Sequence, residues 1–179
     1  MGDEIFNPFE DRFSRDLRNE LSSALATAIE TGDRSALERV VEKYQTQDLA
    51  PHYRNYLEER SKRFNEALCT INREQDPIEQ AVILWNQGLF FEVHEVLEHA
   101  WYTAEGEHKL TLQALIRAAG SYVKKDCGYL EPAKKIAGKS WPVLLANKDF
   151  LNFFFDPTPL IAALKNPDLD APKLQVHKK

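Results

Sequence analysis

The sequence predicts an all-α fold: a compact multi-helix bundle of antiparallel helical hairpins with an N-terminal helical extension. Apolar residues recur with a period near 3.6, no segment shows a convincing period of two, and only 7 glycines occur in 179 residues. Helix-starting residue groups also stand where the apolar stripes begin.

The first such group is Asn7-Pro8-Phe9-Glu10, with Asn7 as cap, Pro8 in the first turn and Glu10 reaching back. Phe9, Phe13, Leu17, Leu21, Leu25 and Ile29 then recur every four residues, and Gly32 ends the helix. Asp33 caps a second helix carrying Leu37, Val40, Val41 and Tyr44, and Pro51 opens a third with Leu57, Phe64 and Leu68 on its inner side. A second capping box, Asp76-Pro77-Ile78-Glu79, starts the next helix, which stops at Asn86-Gln87-Gly88. Helices are then expected over Leu89–Thr103 and Glu107–Asp126, and over 130–147 with a kink or break at Pro142. Leu151–Phe155 is an apolar cluster, and Pro157 begins a last short helix through Leu164. Residues 1–75 are thus expected to be an extension packed on a core of residues 76–165, and residues 166–179, with Pro167 and Pro172, a loose tail.

Bulk properties exclude several functions. A hydrophobic fraction of 43% and a charged fraction of 28% are ordinary for a folded domain. A net charge of -5 argues against a nucleic-acid partner, which needs a broad basic surface. The one basic stretch, Lys124, Lys125, Lys134, Lys135 and Lys139, is interrupted by Asp126 and Glu131 and reads as a solvated helix face. Cys69 and Cys127 form no CxxC pair, which argues against a disulfide framework or a thiolate zinc site. The opening residues lack a basic segment followed by an apolar run, and no apolar run reaches membrane-spanning length. The expectation is a cytoplasmic protein with no membrane partner.

The densest signal runs from Trp85 to Trp101. On a helix at about 100° per residue, Phe90, Val93, Leu97, Ala100 and Trp101 make one stripe. His94 lies on its edge, Glu98 one turn further on, and Glu92, Glu95 and His99 on the side expected to face water. His94 and Glu98, four apart, are the histidine–carboxylate pair spaced to cooperate. Three roles stay open: a proton-transfer unit, half of a divalent-metal site, or a structural pair holding helices in register. The metalloprotease pattern His-Glu-x-x-His is absent, because Glu98 stands where its second histidine belongs. Two ligands are also fewer than a catalytic zinc needs.

The same stretch resembles the family catalogued as domain of unknown function 309, whose hallmark is approximately N-x-G-x-F-F-E-x-H-E-x-x-E-x-x-W. The match runs through Asn86, Gly88, Phe90, Phe91, Glu92, His94, Glu95, Glu98 and Trp101, and less sharply through Leu112-Gln113-Ala114-Leu115-Ile116. It covers about residues 76–146. It implies an all-helical fold and a His-x-x-x-Glu pair suspected of binding metal, in a family without a settled activity. The chain departs from the pattern in its N-terminal section and at Arg117, where the family often carries a second glutamine.

The candidate site is therefore His94, Glu98, Gln113, Trp101 and Phe91, with His94 and Glu98 as ligands of a divalent ion if one binds. Gln113 is either a residue facing His94 or an amide satisfying a helix end. Asn86 reads as a cap and Gly88 as a left-handed turn residue. Phe153, Phe154 and Phe155 are either core or a subunit contact, which leaves a homo-oligomer open. Two function classes follow: a small metal-binding or acid–base protein, and an interaction or scaffold domain in which the pair is structural. The long stripe of the extension and the lack of a Gly/Ser linker predict that residues 8–71 dock on the core. Limited proteolysis should then leave the chain whole; a stable fragment beginning near Arg73, with the N-terminal piece degraded, is the contrary outcome.

Overall fold

A computed structural model describes residues 5–177. The described residues form helices and no strand; the one extended pairing is an isolated antiparallel bridge between Phe155 and Val176. No helix among them is long and apolar enough to cross a membrane. The chain divides into two units, Met1–Glu74 and Gln75–Lys179.

The first unit holds α1 (Arg12–Thr31), α2 (Ser35–Gln45) and α3 (Pro51–Thr70). Leu17, Leu21, Leu25 and Ile29 are buried along α1, as their four-residue spacing requires, with Leu37 and Tyr44 on α2 and Leu57 and Phe64 on α3. The helix starts later than the Asn7-Pro8 signal. Asn7 closes a separate turn, its side chain accepting from Phe9 N at 3.0 Å and its carbonyl from Asp11 N at 2.9 Å. Asp11 is the true cap, accepting from Phe13 N and Ser14 N. Gly32 ends α1 at φ 76°, the left-handed conformation that favours glycine, and its N–H closes on Ala28 O at 2.9 Å. Asp33 does its capping through Ser35, accepting from Ser35 N at 2.9 Å.

The second unit holds α4 (Pro77–Asn86), α5 (Phe90–Thr103), α6 (Gly106–Asp126), α7 (Leu130–Ala146), α8 (Lys148–Leu151) and α9 (Thr158–Lys165). Each of α4 to α7 packs on its successor, and α9 packs on α7. Asp76 caps α4 as expected, accepting from Ile78 N at 2.8 Å, with Pro77 in the first turn. Small residues let α6 and α7 approach: Ala114, Ala118 and Ala119 are buried on one, Ala133, Ala137 and Ser140 on the other. Ser140 Oγ donates to Ala114 O at 2.7 Å across that contact. Helix α7 is not split at Pro142. Pro142 and Gly138 are both exposed, so the Gly138 carbonyl that loses its donor faces water instead of the core. Beyond α7, Leu151 and Phe155 are buried, while Phe153 is 74% exposed.

In place of the loose tail expected after residue 165, residues 166–177 form a strap bonded along its length. Lys125 Nζ donates to Leu169 O at 2.8 Å, Trp85 Nε1 to Pro172 O at 2.8 Å, and His177 N to Phe154 O at 3.0 Å. Leu174 is buried. The prolines stop helix formation here but leave the carbonyls free to accept, which composition alone does not reveal. Below the strap, Trp85, Phe90 and Tyr122 form an edge-and-tilt cluster with ring centroids 4.9–5.3 Å apart. Burial, and then the Asp170 carboxylate, push the Tyr122 phenol up to about 12.

The Asp11 cap predicts an acid dependence in the first unit. Hydrogen bonds from the Ser14 hydroxyl and then Tyr53 OH hold its carboxyl at about 2, below the ordinary 3.8. The lowered value means the ionised cap favours the folded state: its contribution is complete above about pH 4 and fades as pH falls toward 2. Asp11→Ala should lower stability by about 1 kcal/mol at neutral pH, with the difference from wild type shrinking in urea melts taken from pH 4 to pH 2.

Candidate functional site

Helix α5 sets the geometry of the site. It lies between α4 and α6 in the packing order, so its buried surface is wider than a single stripe. Phe90, Val93, Val96 and Leu97 are buried, and so is Glu92, at 1% exposure. Two expectations are corrected here. Glu92 does not face water: it lies beyond Val96 on the arc that two flanking helices cover. Being in the first turn of α5, it meets the positive end of that helix. Trp101, expected as a core anchor, is only half-buried.

Turning away from the core, Trp101, His94, Glu98 and Phe91 project within an arc of about 80°. All four are half-buried. The Phe91 and His94 rings lie nearly parallel, at 16°, with centroids 6.0 Å apart. Lys109, in the first turns of α6, places its ammonium 4.5 Å from the Trp101 ring centre. His94 Nδ1 and Trp101 Nε1 are both sealed from solvent without a hydrogen-bond partner among the described residues.

Glu95 joins this face, contrary to the expectation that it points to water. Its Oε1 stands 3.5 Å from His94 Nδ1, and its side chain is 26% exposed. A glutamate one residue on is displaced by about 100°, but its length lets the carboxylate swing back over the histidine. His94, Glu95 and Glu98 each offer a donor atom, all within 4.8 Å of one another. His99 is exposed, as expected. Gln113 is half-buried on α6, the helix packed against α5.

Asn86 and Gly88 form the corner from which α5 departs. Gly88 has φ 70°, so the left-handed turn role holds. Asn86 is not a cap. Its side chain bonds the backbone of Leu174 in the strap, accepting from the N–H at 2.8 Å and donating to the carbonyl at 2.7 Å. The partner lies 88 residues away, so no local pattern could have announced it.

The donor set decides which ions fit. Two donors on one ion at about 2.1 Å each stand no further apart than about 4.2 Å. The 4.8 Å spread therefore needs only a small side-chain closure. One imidazole and two carboxylates suit zinc, manganese or iron better than a soft thiophilic ion.

Residues 78–136 match a family model described as domain of unknown function (DUF309). The matched segment contains the whole Asn86–Trp101 motif and supports the family resemblance read from the sequence. Comparisons with curated proteins and with solved structures find no match.

Proposed function

We propose that this protein binds a divalent metal ion through His94, Glu95 and Glu98, and that the site serves metal-assisted or acid–base chemistry. The observation behind this reading is the convergence of one imidazole and two carboxylates within 4.8 Å on a single helix face. Three ligands from one helix leave the outward side of the ion to water or substrate, as in catalytic sites and unlike closed structural ones. The ion would supply Lewis acidity at that open side. The chain's own groups have separate roles: Glu95 and Glu98 balance the charge of the ion, and Phe91 limits the swing of the imidazole from beside it. Gln113, on the neighbouring helix, is proposed to turn its amide toward the same pocket and Trp101 to wall it.

A second reading is an interaction or scaffold domain in which these residues only stabilise α5. The 3.5 Å contact between His94 and Glu95 favours it, because an imidazole and a carboxylate can pair on a helix face without a metal.

Titration calorimetry of untagged protein with zinc and manganese separates the two. On the metal reading, His94→Ala and Glu98→Gln each weaken binding at least about tenfold, a loss of about 1.4 kcal/mol, while the metal-free unfolding midpoint stays within a degree or two of wild type. On the structural reading, the same changes cost on the order of 1–3 kcal/mol of stability and no ion binds at any concentration up to millimolar.

A further inference from the structure

The corner between α4 and α5 holds the strap in a way that resembles recognition of a bound peptide. Three consecutive residues are each read by different chemistry. Pro172 offers no N–H, and its carbonyl accepts from Trp85 Nε1 at 2.8 Å. Lys173 sends its ammonium to the Asn86 carbonyl, at the end of α4 where carbonyls lack helical partners and a cation is favoured. Leu174 buries its side chain and has both backbone groups held by the Asn86 amide, at 2.8 and 2.7 Å. A carboxamide bonding both groups of one extended residue reads backbone whatever the side chain, as a strand edge does.

Outside this triplet the strap is tied by backbone bonds on either side, Leu169 O accepting from Lys125 Nζ and His177 N donating to Phe154 O. From residue 166 to residue 177, Leu174 is the one buried side chain. The connecting residues Asp168, Leu169 and Asp170 are exposed. A segment held mainly through its main-chain atoms and by one apolar anchor is bound in the manner of a ligand.

We propose that the Trp85–Asn86 corner is a recognition site for extended peptide segments carrying proline, a basic residue and leucine in succession. The chain's own Pro172–Leu174 occupies it, and partner proteins presenting the same triplet compete for it. Tethering gives the internal segment an effective concentration in the millimolar range, so a partner binds weakly until that segment is released. The site is independent of the metal-site reading, because none of its four bonds involves His94, Glu95 or Glu98.

The test is a fluorescent peptide spanning residues 169–177, titrated by anisotropy into full-length protein. Leu174→Ser, which removes the internal anchor, should bind it at least about tenfold more tightly than wild type. Adding Asn86→Ala to that variant should abolish the gain, and a peptide with serine in place of its leucine should not bind. The proposal is overturned if Leu174→Ser keeps its helical circular dichroism and cooperative melt yet does not bind the peptide. It also fails if Leu174→Ser loses the cooperative melt, since the strap is then core rather than ligand. Hydrogen exchange of the wild type gives an independent measure: the Leu174 amide should open well before amides in the middle of α6, and exchange together with them counts against the proposal. A strap-exchanged dimer in solution would assign the corner to a second copy and overturn the partner reading.

Discussion

The burial of α5 between α4 and α6 is the constraint on which the second unit depends. A helix flanked on two sides hides nearly half its circumference, and on α5 that arc extends from Phe90 through Leu97, Val93 and Val96 to Glu92. The polar chemistry of the helix is thereby confined to the remaining arc. His94 and Glu98, four residues apart, share that arc with Phe91 and Trp101. Glu95 lies outside the buried arc, and its side chain reaches back so that the carboxylate is half-buried and close to the imidazole.

The same packing explains which features the sequence made legible. Period and caps are local properties, so the helices and most of their ends follow from them. Asp76 caps α4 and Pro51 opens α3 because a side-chain oxygen or a fixed φ acts within three residues. His94, Glu98 and Phe91 share a face for the same reason: a helix face is a matter of spacing. Glu92 departs from the single-stripe reading because its environment is set by neighbouring helices, and Glu95 because its length lets the carboxylate swing back over His94. A single amphipathic stripe assumes one neighbour, and α5 has two. The Asn7-Pro8 signal was real chemistry in the wrong element, since Asn7 closes a turn and leaves the helix start to Asp11.

Residues 166–177 show the opposite limit. Their composition, polar with Pro167 and Pro172, is that of a segment unable to form a core of its own. Composition reports what a segment can do alone, whereas this one is ordered by acceptors and donors elsewhere: Lys125, Trp85, Asn86 and Phe154. Proline is suited to such a segment, because it disfavours helix while costing only one donor.

The corner at Asn86–Gly88 connects these two parts of the second unit. Gly88, at φ 70°, lets the chain reverse from α4 into α5 within three residues, and so fixes where the first turn of α5 begins. That start sets the rotation of the whole helix, because each later residue follows at about 100° intervals. Moving the origin by one residue turns the helix by about 100°: in one sense that carries His94 and Glu98 into the buried arc, and in the other it brings buried Val93 and Leu97 outward. Asn86 works on the other side of the same turn: with its backbone in α4 and its side chain committed to Leu174, it ties the end of α4 to the strap. Within a motif of sixteen residues, Asn86 and Gly88 therefore determine where α5 starts, and His94, Glu95 and Glu98 use the orientation that start provides.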